Sequence, residues 1–225
     1  PEAYKATGMP REMLFDLVMP GDILGYVTEE AAKATGLPVG TPVVATSNDK
    51  AVEGLGTGCM GDSTVCISLG TYTSAMMEGK ENLKGTSYAW PKFSCMPNKY
   101  LYDSNGIRRG MWTVSWYRDI LGEGYAKLAK EQGMSPEEAL GREAEKVPVG
   151  SDGLMTVLNW LANVDARYQK GIMIGFDGRH TRGHIYRSIL EAVAMTMKRH
   201  VTDMCNEVGT TINKLIITGG GSNSD

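Results

Sequence analysis

The sequence holds 225 residues, 42% of them hydrophobic and 22% charged, with a formal net charge of −3. That balance supports a real buried core and excludes the strongly basic surface by which nucleic acid or an anionic membrane is bound. No apolar stretch approaches the roughly 18 residues of a membrane-spanning helix, so neither nucleic acid nor a membrane is an expected partner.

The first clear element is a short helix. Thr28 is a good cap, Glu29 and Glu30 suit the positive end of a helix dipole, and Gly36 is a left-handed terminator. Leu37 to Pro42 reads as a turn, and Val43, Val44 and Ala45 as a short buried strand. Ser47, Asn48 and Asp49 end that strand, and a small helix follows from Lys50 to about Leu55. Thr64 to Met77 is expected to be a hairpin, with Val65 to Leu69 before a Gly70-Thr71 turn and Tyr72 to Met77 after it. Residues 80–105 are aromatic-rich and irregular, with room for further strands. From Arg108 to about Leu121, Met111, Val114, Ser115 and Arg118 keep helical spacing. Ser135-Pro136-Glu137-Glu138 is a capping box with proline at the first helical position, which predicts a helix over 136–146.

The longest helix is expected over about Gly183 to Val208, where Ile185, Ile189, Val193, Met197, Val201, Met204 and Val208 form one apolar stripe closed by Gly209. Leu215, Ile216 and Ile217 then predict a central strand covered on both faces. The order of elements indicates an α/β domain.

Cys59, Cys66, Cys95 and Cys205 form no CxxC pair and are expected as buried thiols of a reduced, cytoplasmic protein; no basic-then-apolar leader argues for secretion. His180 and His184 have the spacing of a shared metal site, but Gly183 lies between them and no carboxylate occupies the expected position, so a helix entrance is the better reading. The chain starts at Pro1 and stops at Asp225 just where the pattern calls for a helix, so the expectation is a fragment.

Three places could carry chemistry. Gly219-Gly220-Gly221-Ser222 follows an apolar strand: its glycines admit close ligand approach and positive φ, and a helix starting at Ser222 or Asn223 would aim free amides at that space. It lacks the lysine of a Walker motif and the Rossmann spacing, and an ordinary tight turn is an equal alternative. Ser68-Leu69-Gly70-Thr71-Tyr72-Thr73 offers amide donors and a hydroxyl suited to phosphate oxygens, or a simple hairpin turn. Asn48-Asp49-Lys50 puts a carboxylate outside a strand end, where ligands of open sheets bind, unless Asp49 merely caps its helix.

Together, and in this order, the three resemble the actin-like ATPase superfamily. Gly36-Leu37-Pro38-Val39-Gly40-Thr41-Pro42-Val43-Val44 leading to Asp49, with Ser68-Leu69-Gly70-Thr71, Arg187-Ser188-Ile189-Leu190-Glu191 and the final Gly219-Gly220-Gly221-Ser222, resembles the FGGY carbohydrate kinases, xylulokinase and glycerol kinase among them, over about residues 20–225. The resemblance implies an actin-like (ribonuclease H-like) ATPase domain with a central mixed sheet and flanking helices. It makes Asp49 the general base. Gly70 and Thr71 become contacts of the nucleotide phosphates, and Gly219, Gly220, Gly221 and Ser222 contacts of the adenosine side. ATP with Mg²⁺ is the implied cofactor, with no metal ligand assigned in this chain, and a small sugar or polyol the implied substrate; a homodimer is compatible with it. Residues 1–58 would be the tail of a first, sugar-binding domain and residues 59–225 a second, nucleotide-binding domain cut short. The family usually has glycine where Asn48 stands; asparagine is the next best residue for positive φ. Lys50 replaces a neutral residue and Ala192 a glycine. A non-catalytic nucleotide-binding module and an ATPase nearer to actin or the heat-shock chaperones are the competing readings, against which stand Asp49 and the Gly36–Asp49 run respectively.

Overall fold

In the computed structural model, residues 2–61 and 63–223 are described. A short helix α1 (Glu2–Thr7) leads to a two-stranded antiparallel ribbon, β1 (Ile23–Tyr26) and β2 (Pro42–Val44), joined through helix α2 (Glu29–Thr35). The Thr28 hydroxyl accepts the Ala31 N–H at the start of α2, and Gly36 closes the helix at φ 78°. Both caps are as the sequence predicts. The buried strand expected over Val43–Ala45 holds only at Ala45, which is buried: among the described residues β2 pairs with β1 alone, and both valines are nearly half exposed.

Helix α3 (Asp49–Gly56) then precedes the main sheet. Its five strands are β3 (Thr64–Leu69), β4 (Thr73–Gly79), β5 (Trp90–Phe93), β6 (Tyr100–Asp103) and β9 (Lys214–Thr218), in the order β5-β6-β4-β3-β9. β3 and β4 form the expected antiparallel hairpin, Leu69 opposite Thr73, while β9 runs parallel to β3 with Ser68 opposite Thr218. Alternation assigns the faces. Cys66 and Met76 join Leu101 and Ala51 of α3 on one side. Val65, Ala75, Met77 and Tyr102 meet Val201, Met204 and Cys205 of the long helix α7 (Arg182–Val208) on the other.

Helices α4 (Gly110–Ile120), α5 (Gly122–Glu131) and α6 (Pro136–Ala144) pack on the first half of α7 through Val114, Tyr117, Tyr125, Leu140 and Ile189. The face of α4 that packs inward holds Gly110, Thr113, Val114 and Tyr117, so Ser115 and Arg118 belong to its flank. The capping box of α6 is complete, with Ser135 and Glu138 bonded to each other's backbone. A second antiparallel pair, β7 (Met155–Val157) with β8 (Ile172–Ile174), lies beside α7. The stripe of α7 buries Ile189, Val193, Met197, Val201 and Met204, and Gly209 ends the helix at φ 73°.

β9 departs from expectation. It is an edge strand: Ile216 packs toward α3, but Leu215 and Ile217 are 49% and 52% exposed, because α7 does not extend over them and nothing described pairs their free edge. Cys59, Cys66 and Cys205 are buried as expected and Cys95 half-buried; burial pushes the Cys59 thiol up to about 12 and raises Cys66 and Cys205 as well, so all three are inert.

Candidate active site

The parallel pairing of β3 and β9 sends both glycine turns out of the same end of the sheet, one after Leu69 and one after Thr218. They touch. A Cβ on Gly219 would lie 2.8 Å from the Leu69 carbonyl, and Gly219 itself is at φ +88°. Only glycine meets both conditions. A Cβ on Gly221 would meet the Leu69 side chain and the Met111 methyl, each at 2.9 Å. Gly220 differs from both neighbours. It is exposed, its φ is not in the left-handed region, and nothing lies within 4 Å of where its Cβ would be. Of the three glycines, two close the turn against β3 and one leaves open space in front of it.

Where the sequence predicts a helix from Ser222 or Asn223, the described residues form a 3-10 turn, Gly220–Asn223, and the rest of that prediction lies outside the described residues. Ser222 N–H and Oγ–H both donate back to the Gly219 carbonyl, at 3.0 and 2.7 Å, so that hydroxyl holds the turn together.

The Gly70-Thr71 turn is braced from behind by α4. Met111 N–H donates to the Gly70 carbonyl at 3.1 Å, and a Cβ on Gly110 would fall 2.1 Å from Thr73 Oγ. Thr73 is further fixed by two backbone bonds to Ile107. Thr71 stands exposed at the tip. The bracing role of Gly110 and Met111 carries no local sequence signal, because it depends on a contact across about forty residues.

Asp49 occupies the first position of α3 and does not cap it. The cap is Asn48, whose Oδ1 accepts the Ala51 N–H at 3.0 Å from an extended backbone at φ −68°. Asparagine therefore serves here as a cap and not as a stand-in for glycine at positive φ. Relieved of that duty, the exposed Asp49 carboxylate accepts one bond, from Lys50 N–H at 2.8 Å. Lys50 then links this helix to the sheet: its Nζ donates to Ser68 Oγ at 2.8 Å and to Glu53 at 2.9 Å. The chain thus gathers Asp49, the Gly70-Thr71 turn and the Gly219–Gly221 turn at one end of β3. The sequence places Lys50 and Ser68 within two of its three candidate runs but assigns neither a role, although a lysine in the first turn of a helix opposes the dipole and is itself a signal.

His184 lies in the first turn of α7, where its ring accepts the Thr181 N–H, and it meets Asp152 at 3.2 Å; His180 stacks edge-on to it. The pair forms a helix entrance, as expected. Arg187 and Glu191 form an ion pair at 2.9 Å within α7. Glu191 also accepts Gly150 N–H and Ser151 Oγ–H, holding a turn in which Ser151 and Asp152 take φ near +50°. Burial works against its charge, but the bonds from Gly150, Ser151 and Arg187 outweigh it and hold the carboxyl below the usual range.

Comparison with known proteins bears on the family and the fold. The C-terminal domain of the FGGY family of carbohydrate kinases matches residues 65–225. The chain is 53% identical over 217 residues to "Uncharacterized sugar kinase YgcE" of Escherichia coli (strain K12), covering 96% of this chain and 44% of that relative. It is 27% identical to L-fuculokinase of the same organism, over 99% of this chain and 44% of the relative. The chain therefore spans less than half the length of the curated relatives it matches. Xylulose kinase from Rhodospirillum rubrum superimposes with a TM-score of 0.81 at 26% identity, over 99% of this chain and 43% of that one. Plasmodium falciparum glycerol kinase, solved with ADP, has the same fold at a TM-score of 0.75 and 19% identity, over 99% of this chain and 43% of that one. The fold is the actin-like ATPase fold of these kinases, and the chain belongs to the FGGY family of carbohydrate kinases.

Proposed function

We propose that this chain supplies the general base and the nucleotide site of an enzyme that moves a phosphoryl group from ATP to a hydroxyl of a small sugar or polyol. The observation that carries this is the exposed Asp49 carboxylate, bonded among the described residues by the Lys50 N–H alone, on a helix tied to the same strand end from which both glycine turns emerge. Phosphoryl transfer asks for positioning and charge stabilisation more than for covalent chemistry. Asp49 would accept the proton of the attacking hydroxyl, which requires an ionised carboxylate within hydrogen-bond reach. The amides of Gly70 and Thr71 and the Thr71 hydroxyl would receive phosphate oxygens. The open space before Gly220, between the tightly seated Gly219 and Gly221, fits the adenosine side of the nucleotide; Ser222 stabilises that turn from within. Mg²⁺ would arrive with the triphosphate, and no residue of this chain is assigned to it.

In the same proposal residues 1–58 close a first domain that holds the sugar, and residues 59–225 form the nucleotide domain. The test is ATP consumption by the full-length protein against a panel that includes xylulose, fuculose and glycerol, the substrates named in the family relatives. Sugar-stimulated turnover is expected. ATP hydrolysis indifferent to every sugar would point instead to an actin-like ATPase.

A further inference from the structure

Lys50 breaks a local rule. It occupies the second position of α3, where a cation faces the positive end of the helix dipole. Residues that violate local preference and persist usually answer to something beyond their own element. Its side chain is 21% exposed, and its ammonium is held on two sides: Glu53, one turn further along the same helix, and Ser68, buried in β3. Ser68 stands two residues before Gly70 and lies opposite Thr218, the residue before Gly219. Among the described residues, α3 with its caps reaches β3 by hydrogen bond at two points. One is Thr57 with Cys66, at the far end of the helix; the other is Lys50 with Ser68, beside Asp49.

We propose that Lys50 is a positioning residue: a clamp that fixes the Asp49 end of α3 against the strand carrying the Gly70-Thr71 turn. It thereby sets the separation between the general base and the bound phosphates. The proposal rests on the kinase assignment above. Glu53 prepares the clamp by pinning the flexible lysine within its own helix, so that little freedom is left to lose when Ser68 is engaged. Charge-assisted bonds of this kind are the stronger ones, and displacement of a reacting group by about 1 Å costs roughly 10²-fold in rate.

The experiment compares full-length wild type with Lys50→Met, Lys50→Arg, Ser68→Ala and the Lys50→Met/Ser68→Ala double variant. Lys50→Met should lower kcat by about 10- to 100-fold while KM for ATP moves by less than about threefold. Lys50→Arg should recover part of the loss. The double variant should be no slower than Lys50→Met, because both substitutions break one bond. An unchanged kcat in Lys50→Met, or losses that multiply in the double variant, would overturn the clamp. Deuterium exchange over residues 69–72 should rise in Lys50→Met with no sugar present, and unchanged exchange would overturn the clamp independently of turnover. If exchange responds but wild type phosphorylates no sugar, the kinase assignment fails and the clamp survives as a structural tie. Should Lys50→Met not fold, Ser68→Ala carries the same two readouts.

Discussion

At the scale of single residues, Gly219 and Gly220 stand side by side with opposite requirements. Gly219 is at positive φ against the Leu69 backbone, whereas Gly220 has ordinary φ and open space before it. Gly220→Val should therefore weaken ATP binding by about tenfold or more, since a side chain would fill space left for the ligand, with little change in melting temperature. Gly219→Val should lower the melting temperature, because a β-branched residue there meets both strain of order 1–3 kcal/mol and a backbone clash. Calorimetric ATP titration beside thermal melting separates the two; normal ATP binding by a fully stable Gly220→Val would remove the turn from the nucleotide site. From the sequence the three glycines look equivalent. Their division of labour comes from Leu69 and Met111, which approach from other elements. Asn48 differs from the sequence expectation for a related reason: the φ a residue adopts follows from the helix it begins, and only the structure shows Asn48 bonded to Ala51.

At the scale of elements, what was legible had its cause within the element. The caps at Thr28, Gly36, Ser135 and Gly209, the stripe of α7 and the β3–β4 hairpin are fixed by local chemistry and periodicity, and all are present. What was illegible depended on neighbours. Val43-Val44 and Leu215–Ile217 read as buried strands because apolar runs usually have two covered faces, yet neither has them among the described elements. The family-like run Arg187–Glu191 also has a cross-element purpose, since Glu191 anchors the left-handed turn at 150–153. Glu191→Gln should cost about 1–3 kcal/mol of stability, the usual result of weakening a charged acceptor shared by three donors. Urea unfolding measures this, and an unchanged midpoint would make the anchor dispensable. Ile189→Ala, fully buried between α7 and the α4–α6 layer, should cost about 2–5 kcal/mol by the same assay.

At the scale of the whole molecule, acidification should act through groups whose charge-state preference changes on folding. Burial, helped by Arg199, lowers the pKa of His200, which packs against Tyr88. A depressed histidine stabilises the fold while neutral, so its contribution is present above the unfolded value near 6.5 and is lost as pH falls below it. Glu191, also depressed, contributes above the unfolded value near 4.3 and is lost on further acidification. Melting temperature should thus fall on going from pH 7 to pH 5, and again below about pH 4; His200→Phe should flatten the first decline. On the kinase proposal, the exposed Asp49 would need a wall opposite it to hold a substrate. Residues 1–225 alone should phosphorylate no sugar, since positioning can supply roughly 7 kcal/mol or more of barrier reduction. The most direct test of the account is Asp49→Asn in the full-length protein, with ATP binding and sugar phosphorylation measured on the same preparation. The amide keeps the shape of the carboxylate but cannot take the proton, so turnover should drop by about 10²–10⁴-fold with ATP affinity nearly unchanged; a variant retaining more than about a tenth of the wild-type kcat would contradict a general base at Asp49.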